Sequence, residues 1–502
     1  MIRLNLCLIF TVCVQLATPA DPALTIYNQG FSVIRETIPM EWSSGVSEVR
    51  FSGVTAHVEP ESVILRNVTG NQPYQILEQN YRNDPISQSL LLSLFEGQTI
   101  DFEVPGPTSP RIVKGKIIRS GYTPHYPAMR RYGNQYAAQQ YVQQEATTPV
   151  IETEGQLIFH LPGTPKFPSL GQNTILKPAL TWLVRAPAAG KTNAELSYVS
   201  GGMNWNADYN VLANEKDSLV DVLGWVTMDN QTGSGFENAR VQLMAGDVKK
   251  IQPGNYQMRD AVMLSTNGVS AGYIGPPPVT ERTFDEYHLY TLDNRVTLRD
   301  RETKQVEFLR AAKAKSTQLY IYDGVYVDPN RYQGWNYDNI RTDPSYGTQS
   351  NPKVWVMREI ENTKANQLGI ALPAGKVRFY KRDDDGRLQF TGENMITHTP
   401  QGERVRLYTG NAFDLVGERL RKDYQIDHGR RTVDESFEIK LRNRKTVPAE
   451  IRVVEHLYRS MTWSIAETSQ PFAKKDSNTI EYTVALQPNE ERVVTYKAHY
   501  TW

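Results

Sequence analysis

Cysteine is almost absent from this chain of 502 residues: there are only two, Cys7 and Cys13, both close to the N-terminus. If that stretch is removed on export, disulfides, thiolate metal sites and cysteine nucleophiles go with it, and stability must come from packed cores. Net charge is missing too. The 55 Lys and Arg balance the 55 Asp and Glu, so there is no long-range attraction for nucleic acid or anionic lipid, and no nucleic-acid role is expected. The eight histidines, His57, His125, His160, His288, His398, His428, His456 and His499, show no pair at metal-ligand spacing and no His-Glu-x-x-His run. No metal and no cofactor are expected. Apolar runs long enough for a membrane-spanning helix are also lacking, since the longest, Leu4 to Leu16, falls short of the ~20 residues a span needs.

That run fits an export signal instead. Arg3 supplies a positive start, Leu4 to Leu16 an apolar middle, and Thr18-Pro19-Ala20 a small-residue cleavage site. Residues 1–20 are therefore expected to be a signal peptide, and the mature chain to be periplasmic or extracellular. Tyrosine outnumbers phenylalanine, 27 to 15, which suits sheets with one wet face and loops that touch other molecules.

The strongest structural signal is period-2 alternation. Met203, Trp205, Ala207, Tyr209 and Val211 alternate with Asn204, Asn206, Asp208 and Asn210, the pattern of a half-buried strand. A second strand over Val220 to Met228, a polar turn from Asp229 to Gly235 and a third strand over Ala239 to Ala245 follow. Further strands are predicted around Leu24 to Ile34, Val46 to Phe51, Ser62 to Arg66, Thr99 to Val104 and Arg111 to Arg119, with a last one from Val494 to Trp502. A single short helix is expected in the N-terminal part, with Asp84 as its cap, Pro85 at its first position, Ile86, Leu90, Leu91 and Leu94 as its apolar stripe, and Gly97 as its stop. The fold class is all-β, as tandem immunoglobulin-like β-sandwich domains. Proline and glycine punctuation divides the mature chain at 21–185, 186–275, 276–375 and 376–502. A strand ending in asparagine before a polar turn recurs at Asn230, Asn362 and Asn443, an echo of sandwich grammar in which Asn would supply a left-handed turn residue.

Two stretches break the strand pattern. Residues 121–148 are rich in Tyr and Gln and include Tyr132 and Tyr136; residues 326–352 are rich in Tyr and Asn and include Tyr332, Trp335 and Tyr337. Long loops of this kind are either disordered or functional, and these five aromatic residues are the candidate binding residues. The candidate chemistry elsewhere is thin. Gly268-Val269-Ser270-Ala271-Gly272 spells a nucleophile elbow, but three prolines follow where the elbow needs a helix. Asp383-Asp384-Asp385-Gly386 is expected to be a hairpin turn, and Phe284 to His288 a strand edge. No catalytic residue is assigned.

The Leu24 to Phe31 opening, Glu61-Ser62-Val63, Pro178 to Leu183, the run from Leu196 to Tyr209, Asn238 to Asp247 and the Tyr482 to Trp502 ending resemble an uncharacterised bacterial family, domain of unknown function 4139. Trp205-x-Ala207-Asp208-Tyr209 and Ala245-Gly246-Asp247 carry most of the likeness, which extends over nearly the whole mature chain. The resemblance implies export and architecture but no agreed activity, catalytic residue or cofactor. The expectation is a non-catalytic binding or scaffolding protein of the cell envelope, with an envelope protein or a glycan as partner. A hydrolase of envelope polymers with carboxylates not visible in spacing, and an outer-membrane β-barrel, are the alternatives.

Overall fold

The computed structural model describes residues 20–67, 73–83, 87–106, 109–122, 148–168, 177–214, 218–246, 248–250, 279–383 and 385–502. The export signal, the cap at Asp84 and Pro85, most of the Tyr/Gln-rich stretch with Tyr132 and Tyr136, and Ser270 all lie outside these residues. The described chain is nearly all strand, and none of its sheets closes on itself. It divides into two compact units, one of residues 1–205 and 228–304, the other of 206–227 and 305–502.

In the first unit an eight-stranded sheet includes Ala20–Tyr27, Phe31–Trp42, Gly190–Gly201 and Phe236–Ala245. The run expected as one strand from Leu24 to Ile34 is two, because Gly30 at φ +80° turns the chain into an antiparallel hairpin. Alternation then sorts the residues. Ile34, Glu36, Ile38 and Met40 of one strand and Leu196 and Tyr198 of its neighbour are buried, while Val33, Arg35, Thr37, Pro39 and Ser197 on the other face are at least partly exposed. Strand Phe236–Ala245 pairs in parallel with Ala20–Tyr27. Two smaller sheets complete this unit, one of three strands and one of five. On the five-stranded sheet helix α1, Gln88–Leu94, places Leu92 against Ile100, Phe102, Ile117 and Ile151. This corrects the expected helix. The Ser87 hydroxyl caps it by accepting from the Leu90 amide at 3.1 Å, which shifts the buried stripe so that Leu92 points inward and Leu94 is exposed.

The second unit is built on a thirteen-stranded sheet. Its C-terminal half packs Phe437, Ile439, Leu441, Ile451, Val453, Tyr482, Val484, Tyr496 and Tyr500 into one core. The predicted alternation of the last strand is observed over Glu491–Thr501, with Val494, Tyr496, Ala498 and Tyr500 buried. The expected hairpin joins Gly375–Arg382 to Leu388–Ile396, with the Gly386 amide donating to the Asp383 carbonyl at 2.8 Å.

The three recurring asparagines prove to be one repeated device, though not the one expected. None has a left-handed backbone, and all three are fully buried. Each side-chain amide donates to a carbonyl just ahead in the chain and to two consecutive carbonyls of a distant turn. Asn230 Nδ2 reaches the carbonyls of Ser234, Leu298 and Arg299, Asn362 Nδ2 those of Ile370, Thr399 and Pro400, and Asn443 Nδ2 those of Val447, Leu486 and Gln487. Each Oδ1 accepts from a nearby backbone amide, of Thr232, Gly369 and Lys445 respectively. The distant turns align as Leu298-Arg299-Asp300-Arg301-Glu302, Thr399-Pro400-Gln401-Gly402-Glu403 and Leu486-Gln487-Pro488-Asn489-Glu490. The left-handed residue is the fourth in each, at φ +58°, +92° and +61°. Burial leaves strand ends with unpaired carbonyls unless something donates to them, and in all three places an asparagine does.

Candidate functional site

After the 22-residue strand Glu302–Asp323 the chain leaves the sheet, and it rejoins at Lys353–Glu361. The exit is stapled shut: Tyr322 Oη donates to the Asn351 carbonyl at 3.0 Å, and Asn351 Nδ2 donates to the Asp323 carbonyl at 2.8 Å. Between these ends lies a second helix, α2, Tyr337–Thr342, where a single N-terminal helix was expected. Asn336 starts it, its Oδ1 accepting from the Asn339 amide at 3.0 Å. Tyrosine and asparagine gave no helical period over so few residues, which is why the helix was not legible.

A helix of six residues has almost as many unsatisfied carbonyls as residues. Here they are gathered from beneath. Arg459 Nη1 donates to the carbonyls of Ile340 at 2.7 Å, Asp343 at 3.0 Å and Arg341 at 3.3 Å, and its Nη2 to that of Tyr346 at 3.2 Å. Tyr424 Oη donates to the Thr342 carbonyl at 2.7 Å. The Gly347 carbonyl accepts from Arg419 Nη1 at 2.9 Å and from Tyr458 Oη at 3.3 Å. Positive charge beside the helix C-terminus also suits its dipole.

Both arginines are buried, and each is balanced by a buried carboxylate. Arg459 Nη2 donates to Glu435 Oε1 at 2.8 Å, with Nε in ionic contact with the other oxygen, and Arg421 touches the same carboxylate at 3.2 Å. Arg419 Nε lies 2.9 Å from Glu455 Oε2, an oxygen that also accepts from Tyr496 Oη. The Arg419 guanidinium stands 3.9 Å over the centre of the Phe437 ring. Such pairs add little net stability, but removing one partner leaves a bare buried charge at a cost of about 3–5 kcal/mol. Burial, with the nearby carboxylates, pushes the hydroxyls of Tyr458, Tyr496 and Tyr500 well above the ordinary tyrosine range, so they stay neutral donors.

Above this clamp the rings pack on one another. Tyr332 lies 4.8 Å from Trp335 and 4.9 Å from Tyr346, and Tyr346 lies 5.3 Å from Tyr458, centre to centre. The predicted binding residues thus separate. Tyr332 is buried at the centre of the cluster, Trp335 is half-buried against it, and Tyr337 is 70% exposed at the start of α2 with the Arg341 guanidinium 5.5 Å from its ring. Arg459, Arg419, Glu435, Glu455, Tyr424 and Tyr458 were missed by sequence reasoning. For Arg419, Glu435 and Glu455 the signal is a charge at an inward position of an alternating strand, as Glu435 between Val433 and Phe437; Tyr458 and Arg459 lie outside the strands and gave none.

Gly347, at φ +69°, has no room for a side chain: a Cβ would sit 2.1 Å from the Tyr458 ring. Gly347→Ala is expected to break the Arg419 and Tyr458 contacts and loosen the cluster. Trp335 emission should shift to the red while far-ultraviolet circular dichroism is unchanged; an unshifted spectrum would show that the clamp does not hold the ring.

Other candidate chemistry is sparse. Among the described residues no group of three or more His, Cys, Asp or Glu is placed to hold a metal, and no helix is long and apolar enough to cross a membrane. Phe284 to His288 turn a hairpin, where His288 Nδ1 lies 2.7 Å from Glu281 Oε1. Comparison of the chain with protein-family models, curated proteins and solved structures finds no match.

Proposed function

We propose that this chain is an exported, non-catalytic binding or scaffolding protein of the cell envelope and that residues 326–352 are its contact surface. One observation carries the reading: an aromatic loop anchored by two buried ion pairs that leaves Tyr337 in solvent. A platform already rigid loses little entropy when a partner docks, and tyrosine and tryptophan give large contact area with few rotatable bonds. The partner is an envelope protein or a glycan, either of which an exposed ring beside Arg341 and neutral amides suits. Membership of the domain of unknown function 4139 family and tandem immunoglobulin-like organisation belong to the same proposal; the threefold asparagine device supports the second.

Tyr337→Ala tests the surface without touching its support. The melting temperature should stay within about 1 °C of wild type, as for most exposed substitutions, while capture of a partner from envelope extract, read by mass spectrometry, should fall at least tenfold. Equal capture by both proteins would contradict the assignment of the surface.

A further inference from the structure

The outer surface of residues 326–352 has a composition that selects among partners. Between Pro329 and Asn339 there is no Val, Leu, Ile, Met or Phe, and apart from Tyr332 and Trp335 every residue of that stretch is exposed. A protein interface closes around a desolvated apolar core. This surface offers two rings, Trp335 and Tyr337, and no aliphatic side chain to build one.

What stands beside the rings is amide. Gln333, Asn336 and Asn339 all lie within four residues of Tyr337. Asn336 uses its Oδ1 to accept from the Asn339 backbone amide, and its Nδ2 has no partner among the described residues; the side-chain amides of Gln333 and Asn339 have none there either. Each carboxamide presents a donor and an acceptor in one plane. Neighbouring hydroxyls of a sugar, each able to donate and to accept, match that pair. The rings suit the other side of a sugar. Trp335 stacks on Tyr346, 6.0 Å away with the rings inclined at 26°, and keeps part of its indole in solvent, while Tyr337 is 70% exposed. The negative face of such a ring attracts the polarised C–H bonds on the apolar side of a pyranose.

Charge narrows the choice further. Residues 326–352 carry three carboxylates, Asp328, Asp338 and Asp343, against two guanidinium groups, Arg331 and Arg341. Asp328 accepts from the Asn330 amide at 2.9 Å and Asp343 from the Ser345 amide at 2.7 Å. Arg341 lies 3.4 Å from Asp338, whose side chain is 81% exposed next to Tyr337. A polyanion approaching this loop meets no net positive charge.

We propose, taking residues 326–352 as the contact surface, that its occupant is a neutral polysaccharide. Sugar rings stack on Tyr337 and Trp335, and their hydroxyls bond to the amides of Gln333, Asn336 and Asn339. No covalent bond is made or broken. Recognition by stacking and neutral amides is insensitive to salt, because screening acts on charges.

The probe is envelope polysaccharide freed of protein by proteinase K and of anionic polymer by an anion exchanger, applied to the immobilised protein. Wild type should retain it equally at low and high salt, and periodate, which cleaves vicinal diols, should abolish retention. Tyr337→Ala should lower retention about tenfold and Asn339→Ala about threefold, both with wild-type circular dichroism. Retention unchanged in Tyr337→Ala, or lost at high salt, would overturn the proposal. So would a polysaccharide fraction that is not retained: if untreated envelope extract is still captured in a Tyr337-dependent way, the partner is a protein and the contact surface stands, and if neither is captured the surface assignment falls as well.

Discussion

Replacing Asn443 with alanine is expected to destabilise the C-terminal unit by about 3 kcal/mol, because it strips the donor from three carbonyls and the acceptor from the Lys445 amide in a fully buried setting. For a unit of this size that is a fall of roughly 6–12 °C in melting temperature. Asn443→Asp should be worse than alanine, though it is the closer isostere: its carboxylate would point an acceptor, and a charge, at three carbonyl oxygens. The same ordering should hold at Asn362, and at Asn230 for the other unit, since the bonding pattern is shared. Thermal unfolding of the six variants checks this, and an aspartate that matches wild type at any of the three sites would show that the amide donor is not what holds that turn.

The second large effect is on pH dependence and centres on Glu36. Its side chain falls on the inward face of strand Phe31–Trp42 between Ile34 and Ile38 and is only 4% exposed; its Oε2 has no partner among the described residues. Burial raises its carboxyl from 4.5 to about 7. The folded protein therefore holds this proton more tightly than the unfolded chain. The associated stability is complete below about pH 4.5 and is lost as pH rises through about 7, some 3 kcal/mol in all. His456, raised by its hydrogen bond to Asp323, contributes in the same direction, so the comparison must be with a variant rather than across pH alone. Glu36→Gln, neutral at every pH, should match wild type near pH 4.5 and exceed it by about 3 kcal/mol at pH 8.5. Urea unfolding of the two proteins at both values decides it; a constant difference between them would mean that Glu36 does not titrate on unfolding.

These two sites also mark where the sequence was legible and where it was not. Strand existence followed from alternation where it was clean, and Met203–Ala213 could be placed to within two residues because one face is apolar and one polar. Pairing did not follow, since nothing local says that Phe236–Ala245 runs parallel to Ala20–Tyr27 more than two hundred residues earlier. The asparagine recurrence was visible, but its cause was not: the partners of Asn443 include Leu486 and Gln487, and only the folded chain brings them together. The platform was half legible. Its aromatic residues announced themselves, while the charges that anchor it read as ordinary surface residues until the parity of Glu435 and Glu455 in their strands is counted, a count that also picks out Glu36.

The central claim is that Tyr337, held out by the anchored 326–352 loop, touches a partner in the cell envelope. The most direct measurement places a photo-crosslinking phenylalanine analogue at position 337 in the full-length protein expressed in its own cells, with a second protein carrying it at the buried position 332 as control. A discrete adduct at 337 and none at 332 is the expected result. Illumination that yields no adduct at 337, in protein shown to be folded and exported, would contradict it.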